Sequence, residues 1–267
     1  MTRAETSRVA VVTGATGTIG AAIARRLAAC GHRVTLVGRS AVALDDLARE
    51  IRTGGGEVTW IAADLVDHRQ AEAAMTSVRE GSGDVSILVN AAGTFGPIAP
   101  IGDTDTDEWA QTVTINAVTP FATVRAALGG MRRVGWGRIV NVSSAQTLYP
   151  PDPVVSAYAT SKVALNWMTR SLARELAGTS VSACVIHPGD VTSHMWEDIA
   201  ARAAQGGPAV AHLAQWADEL GRTGGDNPEK AANLVQEIVE QAAVWSNGRF
   251  LMIAGGVVHH PEASWDV

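Results

Sequence analysis

Apolar residues along this chain fall into two alternating patterns. Short runs at residues 9–13, 34–38, 58–62, 87–90, 138–143, 181–187 and 249–254 are mostly rich in Val and Ile and almost continuous in apolarity. Strands covered by helices on both faces have that character, because neither side of the sheet meets water. Between the runs, apolar residues recur at helical spacing. Residues 21–29 place Ile23, Ala24 and Leu27 on one stripe, and residues 42–52 do the same with Leu44, Leu47 and Ile51. Gly54-Gly55-Gly56 marks the end of the second of these helices. Further helices are predicted at 70–79, 107–133, 157–177 and 228–243. The alternation predicts an α/β fold, a doubly wound and mostly parallel seven-stranded sheet with helices on both faces. No Pro/Ser-rich linker or internal repeat divides the chain, so residues 1–267 read as a single domain. Residues 192–227 are the least regular and are expected to form a lid or small helical flap over a substrate.

Composition narrows the class. Hydrophobic residues are 46% of the chain and charged residues 18%, which supplies a sizeable core and excludes intrinsic disorder. The formal net charge is −6, with no basic stripe, so a nucleic-acid partner is not expected. The two cysteines, Cys30 and Cys184, are too few for a disulfide framework or a thiolate metal site and read as free buried thiols. The first apolar run stops at Thr13-Gly14, short of a signal-peptide core, and no stretch approaches the length of a membrane span. A cytoplasmic protein without a membrane partner is the expectation, and no metal is assigned.

Candidate chemistry begins at the end of the first strand, in TGATGTIG at residues 13–20. Gly14 permits a sharp turn, Gly17 clears space for a diphosphate against the backbone, and Gly20 lets the following helix approach the sheet. The helix N-terminus adds free N–H groups and the positive end of a dipole. Strand, glycine turn and amphipathic helix in that order point to a Rossmann-type dinucleotide site, with Gly14, Thr16, Gly17, Thr18, Ile19 and Gly20 around the phosphates. A carboxylate at the tip of the second strand would accept a free ribose 2′-hydroxyl, but this strand ends in Gly38-Arg39-Ser40. Arg39, with Ser40 beside it, fits a 2′-phosphate, so NADP(H) is preferred and NAD(H) is possible. Tyr158 and Lys162 stand four apart, on one face of a predicted helix, in a chain with only 2 Tyr and 2 Lys.

With TGATGTIG, Asp64-Leu65, NAAG at 90–93, Ile115-Asn116, NVSS at 141–144, YATSK at 158–162 and Pro188-Gly189 in this order, the chain resembles the short-chain dehydrogenase/reductase family, in its short branch, from about Arg8 to Gly256. The resemblance implies a catalytic Ser144, Tyr158, Lys162 and Asn116. Tyr158 would exchange a proton with a carbonyl or alcohol oxygen while hydride moves to or from a nicotinamide. Ser144 would hold that oxygen, and Asn116 would orient a water for relay to Lys162. Lys162 would hold ribose hydroxyls, and its charge would favour the phenolate of Tyr158. Asp64 and Leu65 would meet the adenine, Asn90, Ala91 and Gly93 the adenine-side ribose, and Pro188, Gly189, Val191 and Ser193 the nicotinamide. The implied substrate is a small-molecule ketone or secondary alcohol with apolar bulk, received by residues 146–155 and 192–220, which include Leu148, Tyr149, Val154, Val155, Met195, Trp196, Leu213 and Trp216. A homotetramer or homodimer through the helices at 107–133 and 157–177 is also implied.

Some positions depart from the family pattern. Thr18 fills the usual middle glycine, giving the TGxxGxxG spacing of the extended, epimerase-containing branch. The step from Ser144 to Tyr158 is one residue longer than expected and holds Pro150, Pro151 and Pro153, and Ala254 replaces an acid before Gly255-Gly256. A catalytically silent cofactor-binding regulator and an epimerase or dehydratase are the competing readings.

Overall fold

The computed structural model describes residues 7–253 and 257–258. The Ala254-Gly255-Gly256 ending lies outside them. Seven strands form a parallel sheet: β1 (Val9–Thr13), β2 (Arg33–Gly38), β3 (Val58–Ala62), β4 (Ile87–Asn90), β5 (Gly137–Val142), β6 (Val181–His187) and β7 (Phe250–Met252). A two-residue strand, β8 (Val257–Val258), pairs antiparallel with β7 at the edge. The strand order is β3-β2-β1-β4-β5-β6-β7-β8, so winding reverses between β1 and β4. Ligands in such sheets sit outside the carboxyl ends of the strands at that switch point.

The near-continuous apolarity of the runs has the expected cause. On one face Ile23 and Leu27 from α1 (Thr18–Ala29), Leu44 and Leu47 from α2 (Ala41–Thr53), and Val235 and Ile238 from α9 (Glu229–Glu240) pack against Val12, Leu36 and Val140. On the other, Met75 and Val78 from α3 (His68–Ser82), Ala127 and Met131 from α5 (Thr119–Val134), and Leu172 and Leu176 with α6 (Ser156–Glu175) pack against Val11, Leu88 and Ile139. Arg138 of β5 is buried yet carries no carboxylate partner among the described residues. Its guanidinium stacks on Trp136 and donates to the carbonyls of Gly137, Ser180, Ile238 and Gln241, the last two at the carboxyl end of α9. A buried cation is tolerated there because the helix end supplies partial negative charge.

One region differs from the sequence expectation. The helix expected across 107–133 is two, α4 (Thr106–Val113) and α5, separated by a π-helical turn at Thr114–Val118. Residues 192–227, the least regular in sequence and expected to form a lid or small helical flap, contain α7 (His194–Gln205) and α8 (Ala211–Thr223). Ser193 starts α7 by accepting from the Trp196 amide at 3.3 Å. The indole of Trp196 then donates to the Ala217 carbonyl at 3.1 Å and locks the pair. A short helix, α10 (Ala243–Ser246), precedes β7. Among the described residues no helix is long and apolar enough to cross a membrane.

Candidate active site

The glycine turn closes at the switch point. Gly14 has φ +63°, and a Cβ there would lie 2.6 Å from the Ala92 backbone, while a Cβ on Gly20 would lie 2.3 Å from the Gly14 carbonyl. Both positions therefore require glycine for the turn itself. At Gly17, the N-cap of α1, an added Cβ would meet only the Gly14 oxygen, at 3.3 Å. That end of the helix has no side-chain cap, and Thr16 and Gly17 face solvent. Thr18 and Ile19 are half-buried, and Ile19 packs on the core. The arrangement is an uncapped helix N-terminus open to an anion.

Arg39 and Ser40 lie exposed at the tip of β2. Ser40 accepts from the Ala43 amide at 3.3 Å and caps α2, which leaves its O–H to donate elsewhere. Arg39 makes no hydrogen bond or ion pair among the described residues. Asp64 is exposed after β3, where it accepts from the Val66 amide at 3.2 Å, and Leu65 beside it is buried. Asn90 ends β4, but its amide faces a buried polar ladder: it donates to Asn141 at 2.9 Å and accepts from Thr123 at 2.8 Å. Ala91 and Gly93 follow at the cleft edge, half-buried.

Tyr158, Lys162 and Ser144 come together at the carboxyl ends of β4, β5 and β6. The Lys162 ammonium is buried, donates to the Val142 carbonyl at 2.8 Å and lies 5.7 Å from the Tyr158 ring centre. Burial pulls its pKa down to about 8. The phenol of Tyr158 is pushed above its ordinary value by burial; the neighbouring Ser144 hydroxyl opposes this and the Asp190 charge adds to it. This corrects the expectation that Lys162 charge lowers the phenol's pKa. Here desolvation prevails, and it drives both groups toward their neutral forms. Asn116 is fully buried in the π-helical turn. Its amide oxygen accepts from the Thr94 N–H at 2.9 Å, and its NH2 donates to the Thr94 carbonyl at 2.8 Å and to the Ser161 hydroxyl at 2.9 Å. A Cβ on Gly93 would lie 3.0 Å from Asn116 Oδ1 and 3.6 Å from Lys162 Nζ, which places Asn116 and Lys162 around one point.

Below β6, Pro188 and Val191 are buried, Gly189 packs against Asp226 and Ile253, and Ser193 caps α7. The neighbouring His187 accepts the Ala145 N–H on Nδ1 at 3.3 Å, and its burial holds the ring's pKa down against the pull of Asp190 and Asp226. Of the expected pocket residues, Val154, Val155 and Leu213 join an apolar cluster with Phe95, Ile98, Ala203 and Val210. Tyr149 is exposed. Trp216 donates to Asp190 at 3.3 Å, and His212 meets Asp152 at 2.6 Å, so both tie the flap down. Phe95 was not foreseen. Its ring stacks on Tyr158 with centroids 4.5 Å apart, and its place two residues after NAAG in a chain with three Phe was the available signal. Neither Cys30 nor Cys184 forms a disulfide among the described residues; Cys184 is buried and Cys30 half-buried. No group of three metal-ligating side chains occurs among the described residues.

A doubly wound sheet with an anion-ready glycine turn and a Ser–Tyr–Lys cluster at its carboxyl edge defines a dinucleotide-dependent oxidoreductase architecture. The family model for short chain dehydrogenases matches residues 8–204. A galactitol 2-dehydrogenase (L-tagatose-forming) of Cereibacter sphaeroides is 35% identical over 92% of this chain and 93% of its own. Among solved structures, a variant of actinorhodin polyketide ketoreductase with NADPH superposes with a TM-score of 0.82 at 27% identity, covering 94% of this chain and 96% of that one. A NAD+-bound xylitol dehydrogenase gives the same TM-score, 0.82, at 29% identity, over 93% and 98% of the two chains. The chain belongs to the short-chain dehydrogenase family and is an oxidoreductase of that family.

Proposed function

We propose that the protein interconverts a ketone and a secondary alcohol with NADP(H), residues 1–267 acting as one catalytic domain. The observation that carries this reading is the convergence of the Tyr158 phenol, the Ser144 hydroxyl and the Lys162 amine at the sheet's switch-point edge. The cofactor's diphosphate would lie on the α1 N-terminus at Gly14, Thr16, Gly17, Thr18, Ile19 and Gly20. Its 2′-phosphate would meet Arg39, the exposed cation with no described partner, at a strand tip that holds no acid. NAD(H) remains a second cofactor, in keeping with similar structures holding either nucleotide. Asp64 and Leu65 would take the adenine, and Ala91 and Gly93 its ribose. Asn90 would contribute through its backbone, because its side chain is engaged elsewhere. Pro188, Gly189, Val191 and Ser193 would flank the nicotinamide.

The nicotinamide, when bound, supplies or takes the hydride. Tyr158 donates its phenolic proton to the carbonyl oxygen, or recovers it in the reverse direction; burial keeps the phenol protonated for the first role. Ser144 donates a hydrogen bond to the same oxygen. Lys162 holds ribose hydroxyls and offsets charge that develops on the phenol oxygen. Asn116 fixes Thr94 and Ser161 around the amine and orients the relay water. Apolar substrate bulk would rest among Phe95, Val154, Val155 and Leu213 beneath the flap. The exposed apolar side chains Val118, Phe121, Val163 and Trp167 would be covered in a homodimer or homotetramer.

Following loss of NADPH absorbance against a panel of apolar ketones tests the reading. Turnover is expected, and Tyr158→Phe should lower kcat by at least about 100-fold. Arg39→Ala should raise the KM for NADPH about tenfold and leave that for NADH little changed. NADPH binding without turnover, unaltered in Tyr158→Phe, would favour a silent regulator. Product formed without net cofactor consumption would favour an epimerase or dehydratase.

A further inference from the structure

We infer that Asn166 is a positioning residue for the reaction proposed above: its buried amide spans the turn that carries Ser144 and fixes that hydroxyl against Tyr158. What the held hydroxyl accomplishes rests on the functional reading; the hold itself rests on contacts. Tyr158, Lys162 and Asn166 follow one another at intervals of four on α6, so they share its inward face. Asn166 is 4% exposed. Its Oδ1 accepts from the Ser143 hydroxyl at 2.6 Å, and its Nδ2 donates to the Thr147 hydroxyl at 3.0 Å. Thr147 in turn donates to the Ser144 carbonyl at 2.9 Å. One side chain therefore grips the turn before and after Ser144.

The other side of the turn is anchored to the sheet. Ser143 N–H donates to the Ile186 carbonyl at 2.8 Å, and Ala145 N–H to His187 at 3.3 Å. Those bonds fix the turn to β6, whereas the Asn166 bonds fix it to the helix that bears Tyr158. The distinction matters because Ser144 and Tyr158 must both reach one substrate oxygen at about 2.6–3.2 Å. A displacement near 1 Å costs such an arrangement about 100-fold. The turn also runs directly into the exposed, proline-containing stretch after Leu148. Without a tie to α6 only the two bonds to β6 would hold it. A merely structural Asn166 would stabilise the fold but would have no particular dealings with Ser144.

Kinetics of Asn166→Ala, with and without Ser144→Ala, separate these roles. In the wild-type background Asn166→Ala should lower kcat ten- to one-hundredfold, with the NADPH KM unchanged within about twofold. In the Ser144→Ala background it should add less than about twofold, because the hydroxyl it positions is gone. Equal losses in the two backgrounds would overturn the assignment. Amide hydrogen exchange gives a readout that needs no substrate. Residues 145–148 should exchange at least tenfold faster in Asn166→Ala while 158–165 are unchanged, and unchanged exchange at 145–148 would likewise overturn it. Should Asn166→Ala fail to fold, Thr147→Val removes the grip after Ser144 and leaves the Ser143 bond, and it should give both effects in the same direction at smaller size, their absence overturning the assignment. If the wild-type enzyme reduces no ketone, the functional reading falls, and exchange alone still decides whether Asn166 holds the turn.

Discussion

Lys162 is an amine enclosed by protein, donating to a single backbone carbonyl. No carboxylate contributes to its shift; burial alone lowers its pKa to about 8, against an ordinary value of 10.5. The consequence for stability has a definite sign. Between pH 8 and 10.5 the unfolded chain binds more protons at this residue than the folded one, so stability rises with pH across that window. Below pH 8 the cost of the buried charge is fully present. Lys162→Met removes the charge while keeping most of the volume. Without bound nucleotide, this variant should be more stable than wild type at pH 7, by on the order of 1–3 kcal/mol. The gap should narrow by pH 9.5, because wild type gains stability from Lys162 as pH rises while the variant has no amine to titrate. Urea denaturation at the two pH values measures this, and a pH-independent gap would contradict the account. The pairing of Tyr158 with Lys162 was legible in the sequence, because four residues on a helix share a face. The direction of the phenol's shift was not, since desolvation depends on enclosure contributed by several distant segments. The same limit applies to Asn90. Its place at the strand end was legible, but whether its amide faced the cleft or the Asn141 ladder depended on β5 packing beside it.

At the scale of elements, the parallel strands and most helices were legible because each carries its own periodicity and its own stops. Ser40, Asp67 and Asp105 each accept a hydrogen bond from a first-turn amide and fix the starts of α2, α3 and α4. The π-helical turn was not legible. Residues 107–133 keep an acceptable helical pattern throughout, and the π-turn delivers Asn116 to partners, Thr94 and Ser161, that lie on distant segments. The flap was legible only as a weakly patterned segment, because its apolar positions serve two neighbours at once: α7 faces α8, and both cover the Val154–Val155 segment. The Trp216–Asp190 hydrogen bond ties α8 to the residues following β6. Trp216→Phe keeps the aromatic bulk and removes only this donor. It should raise substrate KM two- to fivefold, equivalent to about 0.4–1 kcal/mol, and leave the NADPH KM unchanged. Steady-state kinetics with both substrates varied would show this, and an equal rise in both constants would argue instead for a general disturbance of the fold.

For the whole molecule, the doubly wound sheet explains why candidate residues spread from Gly14 to Ser193 gather at one edge: strands that all run in one direction bring their carboxyl ends, and the loops that follow, to the same side. The outer surfaces of α5 and α6 answer to a different demand. Phe121 is 53% exposed and Trp167 65%, with Val118 and Val163 nearby at 40% and 50%. The π-helical turn containing Val118 packs on α6, so these side chains belong to neighbouring elements rather than to scattered points. Arg170 stacks on Trp167 and covers only part of the indole. Burying the two aromatic rings on each subunit removes a large apolar area from water, and a two-fold axis would set the same patch against itself. A glutamate at either aromatic position would then place a charge in a desolvated contact, opposed by its symmetry mate, at a cost of several kcal/mol. Light scattering of the purified wild-type protein should therefore give a dimer or tetramer mass. Trp167→Glu and Phe121→Glu should each move it toward 27.8 kDa with the circular dichroism spectrum preserved. A wild-type mass already at 27.8 kDa would leave these side chains exposed for some other reason, and an unchanged oligomer in both variants would move the interface to another face.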